Sequence, residues 1–155
     1  MQEIERKFLV RNDGYKAGAS SAEYRQGYLC VDADRTVRVR TAAGKGYITV
    51  KGRTQGCTRA EYEYEIPLSD ARQMLDTLCR KPLIEKTRYR CTGSDGKVWE
   101  IDEFKGVNEG LVVAEIELQS ETEPFARPDW LGDEVSSDPR YYNSYLSEHP
   151  YNEWK

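Results

Sequence analysis

The chain has 155 residues, enough for one domain with one continuous core. Charged residues make up 32% against 38% hydrophobic, so many charges must sit on elements that would otherwise be plain scaffold. A formal net charge of −4, from 23 Lys+Arg against 27 Asp+Glu, argues against a sequence-independent nucleic-acid binder, and no nucleic-acid partner is expected. A phosphorylated ligand stays open, because local clustering sets the field it feels.

Cys30, Cys57, Cys79 and Cys91 are irregularly spaced, with no CxxC pair, and His149 is the only histidine. That pattern argues against a zinc site and against a disulfide framework; the thiols read as small, partly buried side chains. The chain opens directly on Met1-Gln2-Glu3-Ile4 without an apolar leader, and no segment has the length to span a bilayer. A cytoplasmic protein without a membrane partner is expected.

Alternation of apolar and polar residues dominates the chain. It predicts strands over 3–10, 23–31, 35–41, 46–53 and 59–66, the third and fourth joined as a hairpin through Ala42-Ala43-Gly44-Lys45. Pro67 ends the fifth strand, and Ser69-Asp70 is placed to cap a helix over 71–79 with Met74, Leu75 and Leu78 as its apolar stripe. Pro82 stops that helix. Strands follow over 84–91, 97–105 and 111–120, separated by Gly93-Ser94-Asp95-Gly96 and Val107-Asn108-Glu109-Gly110. The tail, with Trp130, Tyr141, Tyr142, Tyr145, Leu146 and Trp154, reads as short helices carrying aromatic anchors. Roughly eight strands with one or two helices predict an all-β dominated fold, a closed antiparallel barrel or a two-layer sandwich.

The polar faces of these strands are unusually pure in sign. Glu3, Glu5 and Lys7 share one side of the first strand; Arg38 and Arg40, Thr49 and Lys51, and Lys86, Arg88 and Arg90 form further rows. Acidic rows are Glu61, Glu63 and Glu65; Glu100 and Asp102; and Glu115 and Glu117. A solvated outer face is the simple explanation for any one row, but such faces usually mix Lys, Glu, Ser, Thr and Gln. Like charges two apart repel unless opposite charge lies between them, so the rows make sense facing one another across an interior. Unpaired charges there are costly unless a ligand balances them. A polyanion with divalent cations does so: arginine forks and lysines hold phosphate oxygens, and carboxylate pairs suit Mg²⁺ or Mn²⁺. Glu3, Glu5, Glu115 and Glu117 are the metal candidates on this reading.

The run Glu3-Ile4-Glu5-Arg6-Lys7 is an ExExK motif and resembles the opening of the CYTH superfamily, the triphosphate tunnel metalloenzymes. Gln26-Gly27-Tyr28-Leu29, Arg38-Val39-Arg40, Lys51, Glu61-Tyr62-Glu63, Lys86-Thr87-Arg88, Asp102-Glu103-Phe104-Lys105-Gly106 and Glu115-Ile116-Glu117 follow in that family's order. The tail WLGDEVSSDPRYYNSYL resembles the end of its short bacterial members. The resemblance implies one tunnel domain over 1–155, an eight-stranded antiparallel barrel with a hydrophilic bore. It implies phosphate contacts from Lys7, Arg38, Arg40, Lys51, Lys86 and Arg88, and one or two Mg²⁺ or Mn²⁺ ions on Glu3, Glu5, Glu115 and Glu117. Glu61 and Glu63 would help position a second metal or the attacking water, Tyr28 would take part in proton handling, and Asp102 would support the basic residues. Lys7, Tyr28, Glu61, Glu63 and Lys86 are thus the catalytic candidates.

No Ser, Cys or His nucleophile constellation accompanies them, and His149 reads as a surface residue. The expected reaction is direct attack by water on a terminal phosphorus of inorganic tripolyphosphate, giving pyrophosphate and orthophosphate. Conversion of ATP to cyclic AMP, hydrolysis of nucleoside or thiamine triphosphate, and turnover-free polyphosphate sensing are the alternatives. A monomer or a homodimer fits the tail equally.

Overall fold

The computed structural model describes residues 2–154. Its strands are β1 (Gln2–Val10), β2 (Ser20–Asp32), β3 (Arg35–Ala42), β4 (Lys45–Gly52), β5 (Thr58–Ile66), β6 (Ile84–Thr92), β7 (Val98–Phe104), β8 (Val112–Glu117) and β9 (Leu131–Glu134), with helices α1 (Leu68–Thr77) and α2 (Asn143–Leu146). The sheet order is β5-β4-β3-β2-β6-β7-β8-β1-β9, and β5 also pairs with β1. Eight antiparallel strands therefore close into a barrel, and the sandwich alternative falls. Closure happens on β1, which gives Gln2, Glu3 and Ile4 to β5, Glu5 to Leu9 to β8, and Phe8 and Val10 to β9.

Because the inner face carries charge, most of the apolar mass packs outside the wall. One cluster joins Phe8, Trp99, Ile101, Ile116 and Trp130, all at most 7% exposed, with Phe125 stacked edge-on against Phe8 and Trp99. A second lies where α1 covers β3 and β4, through Val39, Ala71, Leu75 and Cys79. Gly46 makes that seat possible, since a Cβ there would stand 2.6 Å from the Ala71 Cβ. The third, Ile84, Phe104, Leu111, Val113 and Leu146, brings the tail against β6, β7 and β8. Ile84 precedes Lys86 by two residues, Phe104 follows Asp102 and Val113 precedes Glu115 by the same step, so these strands place apolar residues on the face that carries their charges.

Three local expectations need correction. The hairpin strands run on to Ala42 and Lys45, leaving a two-residue turn in which Ala43 and Gly44 have φ of 51° and 76°. Both are left-handed, the geometry that matches the twist of antiparallel strands. Helix α1 begins at Leu68 directly after Pro67, and neither Ser69 nor Asp70 caps it; Pro67 stands at the cap position with its carbonyl accepting from the Ala71 N–H at 3.0 Å. Strand β9 was not anticipated, because Leu131-Gly132-Asp133-Glu134 is short and carries no apolar alternation. The tail forms α2 flanked by single 3₁₀ turns, as its aromatic spacing suggests. All four cysteines are free, and no described helix is long and apolar enough to cross a membrane.

Candidate active site

Strand parity delivers the charged rows to one bore. Glu3, Glu5, Lys51, Arg38, Arg88 and Glu115 line both of its connected cavities. The wide one, of about 500 Å³, adds Arg40, Glu61, Glu63, Glu100, Glu117 and Arg90; the narrow one, of about 60 Å³, adds Lys7, Tyr28, Lys86 and Arg59. Every predicted phosphate and metal residue is thereby brought together. Glu65, the outer member of its row, stays 58% exposed beyond the bore and pairs loosely with Lys45 at 3.9 Å.

Many of these charges pair across the bore. Lys7 Nζ donates to Glu5 Oε1 and Glu115 Oε1, both at 2.9 Å. Lys51 Nζ donates to Glu3 at 3.1 Å, with Arg59 3.9 Å from the same oxygen. Glu63 accepts from Arg40 Nη2 and from Thr49 Oγ1, each at 3.0 Å. Asp102, 1% exposed, takes a forked contact from Arg88 at 2.7 and 2.9 Å and a third from Lys86 at 2.8 Å. It braces two cations and does not line the bore.

The titration behaviour follows from this wiring. Burial pushes the Glu5 carboxyl up, but Lys7 and Lys51 outweigh it and hold Glu5 near 2. Burial likewise opposes the Lys7 ammonium, yet Glu115 and Glu5 carry its pKa well above the usual lysine value. Lys86 goes the other way: burial, reinforced by Arg88, outruns Asp102 and brings it down to about 7. Arg40 is lowered to about 10 by burial and by Arg38 and Arg88. Burial raises the Tyr28 phenol. Glu117 is raised by burial and by Glu3 and Glu5, and Glu3 by burial and a hydrogen bond with Glu61.

Two buried donors, Arg38 Nε and Arg40 Nε, have no partner among the described residues. Orphaned guanidinium N–H groups inside a closed bore are costly unless an anion meets them. Sequence reasoning did not single out four contributors. Tyr24 holds its ring 4.8 Å from the Arg88 guanidinium and 5.0 Å from that of Arg40, stacking two phosphate-binding candidates on one aromatic. Its parity with Gln26 and Tyr28 was the available signal. Arg59 faces Glu3 in register, and Tyr142 and Asn143 arrive from the tail, whose fold no alternation announces.

A model of the CYTH domain family matches residues 1–142. The chain belongs to the CYTH family. Among its relatives, a protein of Acetivibrio thermocellus named inorganic triphosphatase is 54% identical over 154 residues, covering 99% of this chain and 98% of that one. A second inorganic triphosphatase, from Nitrosomonas europaea, is 37% identical over 152 residues, covering 95% and 97% of the two chains. The crystal structure of an inorganic triphosphatase superposes with a TM-score of 0.66 at 34% identity, over 94% of this chain and 97% of that one. The CYTH tunnel metalloenzymes imply a divalent metal, and the carboxylates here suit one. Among the described residues no three acidic, His or Cys side chains form a ready-made cage, because lysines and Arg40 occupy the carboxylates. Yet burial and Glu61 raise Glu3, and burial with Glu3 and Glu5 raises Glu117, a cost to the carboxylates that an oxygen-seeking cation relieves.

Proposed function

We propose that this CYTH protein hydrolyses inorganic tripolyphosphate to pyrophosphate and orthophosphate. The observation that carries the reading is the pair of unsatisfied Arg38 and Arg40 donors inside a bore lined by further lysines, arginines and carboxylates. The names borne by its 54% and 37% identical relatives point the same way. In this reading residues 1–155 act as one tunnel domain, and four free thiols suit the reducing cytoplasm.

Lys7, Arg38, Arg40, Lys51, Lys86 and Arg88 hold the phosphate oxygens, the arginines by forked contacts and the lysines as point charges. Glu3, Glu5, Glu115 and Glu117, with Glu61 and Glu63 beside them, would hold Mg²⁺ or Mn²⁺, which would supply Lewis acidity to the reaction when bound. Glu61 and Glu63 orient the attacking water at the wide end. Its oxygen forms a bond to the terminal phosphorus and gives up a proton to solvent at the wide end, the bridging P–O bond breaks, and pyrophosphate leaves with the electron pair. The cationic side chains stabilise the charge that grows on the bridging and terminal oxygens. Lys7, its ammonium secured by two carboxylates, keeps its proton throughout. Lys86, near 7, is the group able to hold or yield one at neutral pH, with Tyr28 lining the same cavity. His149 is exposed on the tail and takes no part.

The test is incubation with tripolyphosphate, ATP or thiamine triphosphate, with and without Mg²⁺ or Mn²⁺, and identification of the products. Metal-dependent orthophosphate and pyrophosphate from tripolyphosphate is the expected result. Cyclic AMP from ATP with tripolyphosphate left intact would overturn it.

A further inference from the structure

Of the polar side chains that the tail brings to the narrow cavity, Asn143 is the one that hydrogen-bonds Lys86, and the reaction above leaves it without a role. Asn143, first residue of α2, accepts at Oδ1 from Lys86 Nζ at 3.0 Å and from Gln26 Nε2 at 2.9 Å. Both lone pairs of the amide oxygen are then in use, which fixes the turn of the amide. Gln26 is fully buried on β2, and its Nε2 bond to Asn143 is the one hydrogen bond its amide makes among the described residues. Lys86 is 1% exposed, and Asn143 and Asp102 take two of its three N–H donors, leaving one for the bore that it lines. The tail is seated by Leu146, fully buried against Ile84 and Phe104, respectively two residues before Lys86 and its register partner. Seating the tail and locating the Lys86 head group are thus one geometric event.

We propose that Asn143 is a positioning residue for Lys86: its amide oxygen, delivered by the tail, keeps the ammonium charged and aimed at the phosphate chain. The inference rests on the reading of Lys86 as a phosphate contact. The charged groups around Lys86 are Asp102 on β7, Arg88 on β6 and Glu115 on β8. Tyr24 is its titratable register partner on β2, and the Phe104 ring stands 5.5 Å away. Asn143 and Gln26 are neutral, so the amide oxygen acts as an acceptor for the ammonium without adding a charge. Burial already opposes that ammonium, and a lost acceptor disfavours it further.

The experiment follows the Lys86 side chain by NMR against pH in the metal-free, ligand-free protein, for wild type, Asn143→Ala and Asn143→Asp. Asn143→Ala is expected to lower the Lys86 midpoint by about one pH unit, and Asn143→Asp to raise it by about as much. The alkaline limb of kcat/KM for tripolyphosphate should move in the same directions, which a merely structural loss would not produce. A Lys86 midpoint unmoved in both variants overturns the proposal, whatever activity does. A moved midpoint with an unmoved alkaline limb overturns the link to the reaction. Where truncation unfolds the tail, Asn143→Leu keeps the volume and removes the acceptor. Since the titration needs no substrate, it reads the Asn143–Lys86 contact even if tripolyphosphate proves not to be hydrolysed.

Discussion

Glu5 is the residue on which the site turns, because Lys7 and Lys51 keep it ionised while its neighbours Glu3 and Glu117 are driven toward their neutral forms. Glu5→Gln is expected to lower phosphate release at saturating Mg²⁺ by at least about 100-fold while the circular dichroism and melting curve keep their folded form. Arg40→Ala removes a charge-assisted donor and should weaken tripolyphosphate binding by roughly 10- to 100-fold, read by calorimetric titration. Glu117 makes the opposite point about stability. Its folded pKa lies above the ordinary value of 4.5, so between the two the folded state binds more protons, and its contribution to stability falls as pH rises through the folded value. Glu117→Gln should therefore raise the melting temperature of the ligand-free protein at neutral pH while reducing turnover, a trade that a phosphate-release assay and a thermal melt measure together. Glu3, Glu5, Arg38 and Arg40 were legible in the sequence because a period of two assigns every second side chain to one face. Tyr24 and Asn143 were not, since their roles exist only through Arg40, Arg88 and Lys86 on other elements.

At the scale of elements, the strands were readable to within a few residues, and their ends were set by turn chemistry that composition only suggests. The β3–β4 turn shows the cost: Ala43 sits at φ 51°, where its Cβ is disfavoured. Ala43→Gly is expected to stabilise the protein by about 0.5–1 kcal/mol, measured as a shift in urea midpoint at constant slope. The Ser69-Asp70 cap failed as an expectation because the helix starts at Leu68, directly after the fixed φ of Pro67, which leaves Ser69 and Asp70 inside its first turn. Strand β9 was illegible for a different reason. Four residues with one apolar side chain carry no period, and what holds them is the free edge that β1 presents beyond its pairing with β5.

Across the whole molecule, the bore is close to electrically balanced before anything binds. Lys7, Arg38, Arg40, Lys51, Arg59, Lys86, Arg88 and Arg90 stand against Glu3, Glu5, Glu61, Glu63, Glu100, Glu115 and Glu117, with Asp102 behind them. Phosphate alone leaves the carboxylates unanswered, and a cation alone leaves the arginines so. Each ligand is therefore expected to raise the affinity for the other, as linkage requires. Thermal melts should show small shifts with Mg²⁺ or tripolyphosphate singly, using the Glu5→Gln variant to prevent turnover, and a shift with both larger than their sum. Independent, additive shifts would count against a shared site. The placement of the apolar clusters reaches further than any one contact. Two of the three clusters sit outside, where α1 and the Phe8–Trp99–Trp130 stack grip the barrel like hoops around staves, while the third seats the tail on the face that carries the charges. The wide end of the lumen is thereby relieved of the task of cohesion, so side chains there can be exchanged for new chemistry while the hoops keep the vessel in shape.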